Sequence, residues 1–338
     1  MVAVKSTLEK PDVEQILAYY DVGVIEDIKA FTTGTVQTNI LLHTTCGRFV
    51  LRYYERNRSF NSVLFEVNLI KYLKRKNYPC PVVVGNTHGK FAECYKDKPY
   101  ALFEFLEGTH VQHPNERQKQ QLIQKVAELQ NLTRNYRSVY AQYRWNYGIE
   151  LCETLVGDTA NTIATANAQE KLTWYRHELS KLVLPASLPK GICHCDFHFS
   201  NVLFKDDTFH ALLDYDDANY TFSTFDLGCL IEPFIAMFRW DTWRNFTLHD
   251  EVFNFADAKK IVSEYQKYRM LNPTEKKYFF DVYKLGIFID CLWFFKRGDA
   301  RDFYEKRKIE YLNRLGRETS TTKYLANASR LLRLPMRR

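Results

Sequence analysis

The 338-residue sequence predicts an α+β fold in two parts. An N-terminal lobe over 1–107 carries an antiparallel sheet and one helix, and a mainly helical lobe covers 108–338. Three observations predict it. Before Phe105, short apolar and β-branched runs are punctuated by turn residues. From Pro114 onward apolar residues recur at helical spacing, beginning with Leu122, Ile123, Val126, Leu129 and Leu132. Between helical segments lies Gly191–Gly228, GICHCDFHFSNVLFKDDTFHALLDYDDANYTFSTFDLG. Its two apolar runs, Val202–Phe204 and Phe209–Leu213, flank the turn cluster Lys205-Asp206-Asp207-Thr208 and read as a hairpin.

In chain order, Pro11–Tyr20 reads as a short amphipathic helix with Val13, Ile16, Leu17 and Tyr20 on one face. Strands follow at Ile25–Thr32, Asn39–Thr44 and, after a Cys46-Gly47 turn, Arg48–Tyr54. The loop Thr33-Gly34-Thr35-Val36-Gln37-Thr38 joins the first two. With a single glycine it is a weak phosphate cradle, yet backbone amides around Thr35–Thr38 can still cap an anion. Arg52 sits mid-strand in FVLRYY, where a buried guanidinium needs an anion. The candidate carboxylate is Glu66 on the helix Ser62–Lys76. Tyr78-Pro-Cys-Pro81 ends that helix. Val82–Val84, Lys90–Cys94 and Lys98–Phe105 continue the sheet, which the chain leaves through Gly108. Helices are then expected in Gln118–Thr133, Cys152–Leu184, Asp226–Arg239, Asp257–Tyr268, Pro273–Lys296 and Ala300–Leu315.

Composition excludes several classes. With 46% hydrophobic and 15% aromatic residues the chain is globular rather than disordered. The longest nearly apolar runs, Cys229–Phe238 and Leu285–Phe295, are interrupted by Glu232 and Asp290 and fall short of a membrane span. The net charge of +7 is spread along the chain, apart from Arg330, Arg333, Arg337 and Arg338. It suits small anions such as nucleotides better than nucleic acid. Eight cysteines without an apolar leader read as reduced thiols of a cytoplasmic protein. Cys193-His194-Cys195 has no second cysteine pair at zinc spacing.

The chemistry concentrates in His194-Cys-Asp196-x-x-x-x-Asn201, followed thirteen residues later by Asp214. If the hairpin forms, Asn201 enters it and Asp214 leaves it, so both side chains lie at its open end. An amide and a carboxylate oxygen are hard ligands that suit Mg²⁺, which relies on water and phosphate for its other positions. Asp196 is left to orient a hydroxyl and accept its proton. Phosphoryl transfer needs these parts and little else from the protein.

The same residues carry a family resemblance. HCDFHFSNVLF, LLDYDDANY and FDLG resemble the aminoglycoside phosphotransferase / choline kinase family of small-molecule kinases. VEQILAYYDVGVIEDIKAFTTGTVQTN, TTCGRFVLRYYE and YPCPVVV look nearest to its type II homoserine kinases. No Arg follows His194 and no Phe-Gly follows Asp214, unlike the protein-kinase signatures. The resemblance spans about Ile25 to Phe295 and implies a two-lobed protein-kinase-like fold that uses ATP and Mg²⁺. It implies that Arg52 and Glu66 form the basic–acidic pair at the phosphates, near Gly34 and Thr35. Backbone groups of Glu104–Leu106 would read the base, Asn201 and Asp214 would hold Mg²⁺, and Asp196 would be the base. His194 is then scaffold. Asp226 caps its helix, bonds the backbone around His194, or both. His198 and Asp216 or Asp217 either touch metal or substrate or are solvated. Glu232, Asp290 and Trp293 either line an acceptor pocket suited to an amine-bearing alcohol or simply pack. Homoserine is the expected acceptor, with an aminoglycoside, choline or another amino alcohol as the alternative. From a different class stands a catalytically silent nucleotide-binding protein.

Overall fold

Six strands form one antiparallel sheet in the order β1-β2-β3-β6-β4, with β5 on the other part of β6. These are β1 (Ile25–Ala30), β2 (Thr38–Thr44), β3 (Gly47–Tyr53), β4 (Val83–Val84), β5 (Glu93–Tyr95) and β6 (Lys98–Glu104). The structure is a computed structural model describing residues 6–32, 36–55, 58–163, 168–235, 255–295 and 304–324. Side chains of 159–163, 232–235, 293–295, 304, 305, 307 and 324 stay outside that description. The helices are α1 (Lys10–Leu17), α2 (Phe60–Arg75), α3 (Glu116–Thr133), α4 (Ile149–Ile163), α5 (Ala168–Leu179), α6 (Phe225–Ile235), α7 (Phe255–Tyr268), α8 (Pro273–Phe295), α9 (Tyr304–Leu315) and α10 (Arg317–Tyr324). Four more strands complete the list: β7 (Lys190–Cys193), β8 (Val202–Lys205), β9 (Thr208–Leu212) and β10 (Asn219–Phe222).

The chain divides into two compact units that are not contiguous in sequence. The first comprises 1–118, 132–146 and 199–220, and the second 119–131, 147–198 and 221–338. In the first unit, alternation along β2 and β3 separates two jobs. Ile40, Leu42, Leu51 and Tyr53 point to one side, where Val13, Ile16 and Leu17 of α1 and Tyr20 cover them. Arg52, paired in register with Asn39 and Ala101, points to the other. Helix α2 packs on β4 and β6. It starts earlier than the expected Ser62, because Ser59 caps it by accepting the Ser62 N–H at 3.2 Å.

Strands β8 and β9 form the expected hairpin. Its turn is two residues, Asp206 and Asp207, with φ of 49° and 57°. Left-handed conformation at both positions is the turn whose twist matches a hairpin, and short polar side chains tolerate it. Thr109 and Phe204 exchange backbone hydrogen bonds at 2.9 Å, tying the exit of β6 to β8. Gly108 is required there: at φ 152° a side chain would be strained, and its Cβ would meet Leu203 Cβ at 3.0 Å.

The second unit is mainly helical and also holds strand β7. Helix α8 is packed by α4, α5, α6, α9 and α10, and Tyr175 donates its hydroxyl to the Phe288 carbonyl at 2.9 Å. Helix α6 begins at Phe225, one residue before the expected Asp226. No helix of the described residues is long and apolar enough to cross a membrane.

Candidate active site

Within the first unit, a cavity of about 460 Å³ is lined by apolar walls and a few polar groups. Val50, Ile70, Phe103, Leu203 and Leu213 supply walls, while Arg52, Glu66, Asn201 and Asp214 supply polar groups. That size and composition suit a drug-sized ligand. Glu104, Phe105 and Leu106 line it where β6 ends. The N–H groups of Glu104 and Phe105 are taken, each donating at 3.0 Å, to Val82 and Arg48 carbonyls respectively. Gly34 and Thr35 lie outside the described residues.

The hairpin delivers Asn201 and Asp214 together. Leu213 donates its N–H to the Asn201 carbonyl at 2.7 Å, closing the open end. Asp214 then takes φ 60°, an uncommon conformation for a non-glycine residue, and Tyr215–Asp217 form one 3₁₀ turn. Two oxygen ligands of this type fit Mg²⁺. No group of three His, Cys, Asp or Glu that could hold a metal is found among the described residues. A metal here would therefore complete its shell with water and phosphate.

Arg52 does not make the expected ion pair with Glu66. Its Nη2 lies 2.7 Å from Asp214 Oδ1 and 3.7 Å from Asp216 Oδ2. Glu66 is buried beside it, and among the described residues no cation lies within 4.0 Å of its carboxylate, although Arg52 still acts on it from farther away. The physical reason is position. Glu66 projects from α2, whereas the turn after the hairpin brings two carboxylates directly to the guanidinium. Burial opposes the charge of Arg52, yet Asp214, Glu66 and Asp216 hold its pKa well above the ordinary value.

Burial raises the Glu66 carboxyl from 4.5 to about 7, with Arg52 opposing. The folded chain therefore keeps this proton at pH values where the unfolded chain has lost it. Stability falls as pH rises from about 4.5 to 7 and is level beyond. Glu66→Gln is expected to remove that fall, at most about 3 kcal/mol. Urea melts of both proteins at pH 5 and 7.5 check this, and parallel changes would refute it.

Asp216 and Asp217, left open between ligand and solvent in the sequence, are both held by Arg58. Its Nε is 3.1 Å from Asp216 and its Nη2 is 3.1 Å from Asp217. Gln37 adds a hydrogen bond to Asp216 at 2.7 Å. Burial works against ionising Asp216, but Arg58, Arg52 and Gln37 keep its pKa below the usual value. Arg144, also buried, donates to the carbonyls of Ala218 at 2.9 Å, Tyr215 and Asp216, and to Ser62 Oγ at 3.1 Å. The side chains of Gln37, Arg58 and Arg144 carry no local signal of these contacts. Their partners on the turn after the hairpin lie 71 to 179 residues away, beyond any local spacing rule.

In the second unit, Asp226 accepts the N–H groups of His194 at 2.9 Å and Cys195 at 2.8 Å. Of its two expected roles, the backbone contact is the one observed. Burial raises its pKa, and those two N–H bonds pull against the rise. His194 is fully buried against Phe197. Cys195 takes φ 65°, turning the backbone just before Asp196. His198 Nε2 stands 3.1 Å from Asp196 Oδ1, with both side chains about two-fifths exposed. Asp290 is exposed on α8, and the side chains of Glu232 and Trp293 lie outside the description.

Known proteins bear on this arrangement. The chain is 26% identical over 319 residues to the homoserine kinase of Bartonella henselae, covering 92% of this chain and 89% of that one. Among solved structures, an amicoumacin kinase bound to AMP-PNP, Ca²⁺ and amicoumacin aligns with a TM-score of 0.61 at 16% identity, covering 94% of each chain. A microcompartment-associated aminopropanol kinase aligns at 0.59 and 16%, covering 93% of this chain and 95% of its own. Residues 27–270 match the APH phosphotransferase enzyme family, and the chain belongs to that family of small-molecule kinases.

Proposed function

We propose that the protein transfers the γ-phosphoryl group of ATP, with Mg²⁺, to the hydroxyl of homoserine. The observation that carries this is the hairpin that sets Asn201 and Asp214 at its open end, lining one cavity with Arg52. Likeness to the homoserine kinase of Bartonella henselae over 92% of the chain supports the acceptor. Arg52 holds α/β-phosphate oxygens through its planar fork. Asn201 and Asp214 would hold Mg²⁺, which when bound neutralises phosphate charge. The base lies against Val50, Phe103 and Leu203, where backbone groups of Glu104–Leu106 read its edge. Asp196 orients the acceptor hydroxyl and takes its proton as the oxygen bonds to phosphorus and ADP leaves.

The test is ADP production from Mg-ATP with L-homoserine, L-threonine, L-serine, choline, ethanolamine, methylthioribose and several aminoglycosides. Stimulation by homoserine alone, by about 100-fold or more over the nearest analogue, is expected, because a site that hydrogen-bonds its substrate rejects one lacking the partner groups. Stimulation by a different alcohol would replace the acceptor. Mg²⁺-dependent ATP binding with no stimulation by any alcohol would favour the silent nucleotide-binding protein.

A further inference from the structure

The network beneath Asp214 contains more charge than metal and phosphate binding require. Two guanidinium groups, Arg52 and Arg58, meet the three carboxylates Asp214, Asp216 and Asp217 around one 3₁₀ turn, and a third, Arg144, holds the turn's backbone carbonyls. Arg58 and Asp216 are nearly fully buried, with side-chain exposures of 7% and 8%. Such a cluster is expensive to keep unless each member is held in place. Arg52 is shared, lying 2.7 Å from Asp214 and 3.7 Å from Asp216. If Asp214 turns toward a metal, the carboxylate left within 4.0 Å of Arg52 is Asp216, while Glu66 acts on it from farther away. Glu66, on α2, makes no ion pair with it.

Asp216 is fixed independently of Arg52. Gln37 bonds it at 2.7 Å, and the Gln37 side-chain carbonyl accepts the Glu55 N–H at 2.7 Å, so the amide is held at both ends. Arg58 faces it at 3.1 Å, and the Trp145 ring lies 5.5 Å from the Arg58 guanidinium carbon. Arg144 grips the carbonyl of Asp216 itself.

We infer, on the basis of the kinase reading above, that Asp216 is the positioning carboxylate that holds Arg52 for phosphate, and that Arg58 is its counter-charge. The role expected of Glu66 thus passes to a residue two positions after Asp214. Asp216 is not among the residues that line the cavity. It acts through Arg52, and Arg58 acts through Asp216.

Calorimetric binding of Mg²⁺ and AMP-PNP at pH 7.5 tests this without requiring turnover. Asp216→Asn is expected to weaken binding by about tenfold or more, the scale of one charge-assisted hydrogen bond. Arg58→Gln should weaken it by about fivefold, because Arg58 acts only through Asp216, and Glu66→Gln, which exchanges one polar lining group of the cavity for another of the same size, should weaken it less than either Asp216 variant. Arg58→Lys should restore most of the loss, and KM for the alcohol should stay unchanged in every variant. Where Asp216→Asn does not fold, Asp216→Glu keeps the charge but displaces it, and should still weaken nucleotide binding more than Glu66→Gln. A larger loss in Glu66→Gln than in either Asp216 variant would overturn the assignment. So would lowered melting temperatures with unchanged nucleotide affinity. A wild-type chain that binds no Mg-nucleotide would sink the kinase reading, and this inference with it. Binding without phosphorylation of any alcohol would remove the acceptor and leave the ranking to be read.

Discussion

Asp196→Asn is expected to lower turnover by about 10³-fold while Mg-nucleotide binding stays within about threefold of wild type. The amide keeps the size and one hydrogen-bond acceptor of the carboxylate but cannot take a proton. The surrounding backbone is held by other groups: Asp226 accepts the N–H groups of His194 and Cys195, and the His198 N–H bonds the Asp196 carbonyl at 3.1 Å. The loop should therefore keep its path, and the loss should fall on kcat. Single-turnover kinetics with saturating homoserine separates the steps. A variant with full turnover would remove Asp196 from the reaction. Equal losses in kcat and in nucleotide affinity would point to a collapsed loop instead.

Arg144→Ala is the substitution expected to cost most in stability, about 3–5 kcal/mol, seen as a Tm lowered on the order of 10 °C. One guanidinium serves the carbonyls of Tyr215, Asp216 and Ala218 and the hydroxyl of Ser62. Truncation strands these acceptors away from water and takes a positive charge from beside Asp216. Arg144→Lys should recover only part of the loss, because a single ammonium cannot span carbonyls that a planar fork reaches together. Scanning calorimetry decides: a Tm within about 2 °C of wild type would show that water replaces the side chain without cost.

Local features were legible in the sequence, and long-range ones were not. The hairpin could be read because two apolar runs and a polar turn lie within twelve residues, and its geometry then placed Asn201 beside Asp214. The small sheet could be read from turn punctuation, although β5 starts at Glu93 rather than Lys90. Arg52 announced itself as a basic residue inside an apolar strand. Its partner did not, because Arg52 and Asp214 are 162 residues apart and nothing in DYDDANY says which carboxylate turns inward. Glu66 was the plausible choice because it is near in sequence and on a helical face. Arg144 was invisible for a related reason: in YRWNY it has the look of any loop arginine, and its targets are backbone carbonyls, which carry no side-chain signature. Asp226 was readable as structural but ambiguous between cap and brace, since both uses need the same carboxylate at the same helix start.

The discontinuous make-up of the first unit also sets an order of events during synthesis. Its sheet is complete at Glu104, yet the acidic turn that neutralises Arg52 and Arg58 is not made until Asp217, more than a hundred residues later. At about 5–20 residues per second, the ribosome leaves that sheet waiting on the order of ten seconds. For that interval two arginines destined for burial, Arg52 on β3 and Arg58 in the loop after it, stay hydrated. The nascent N-terminal third is therefore an unfinished domain rather than a small stable one, and its closure is timed by the arrival of the hairpin.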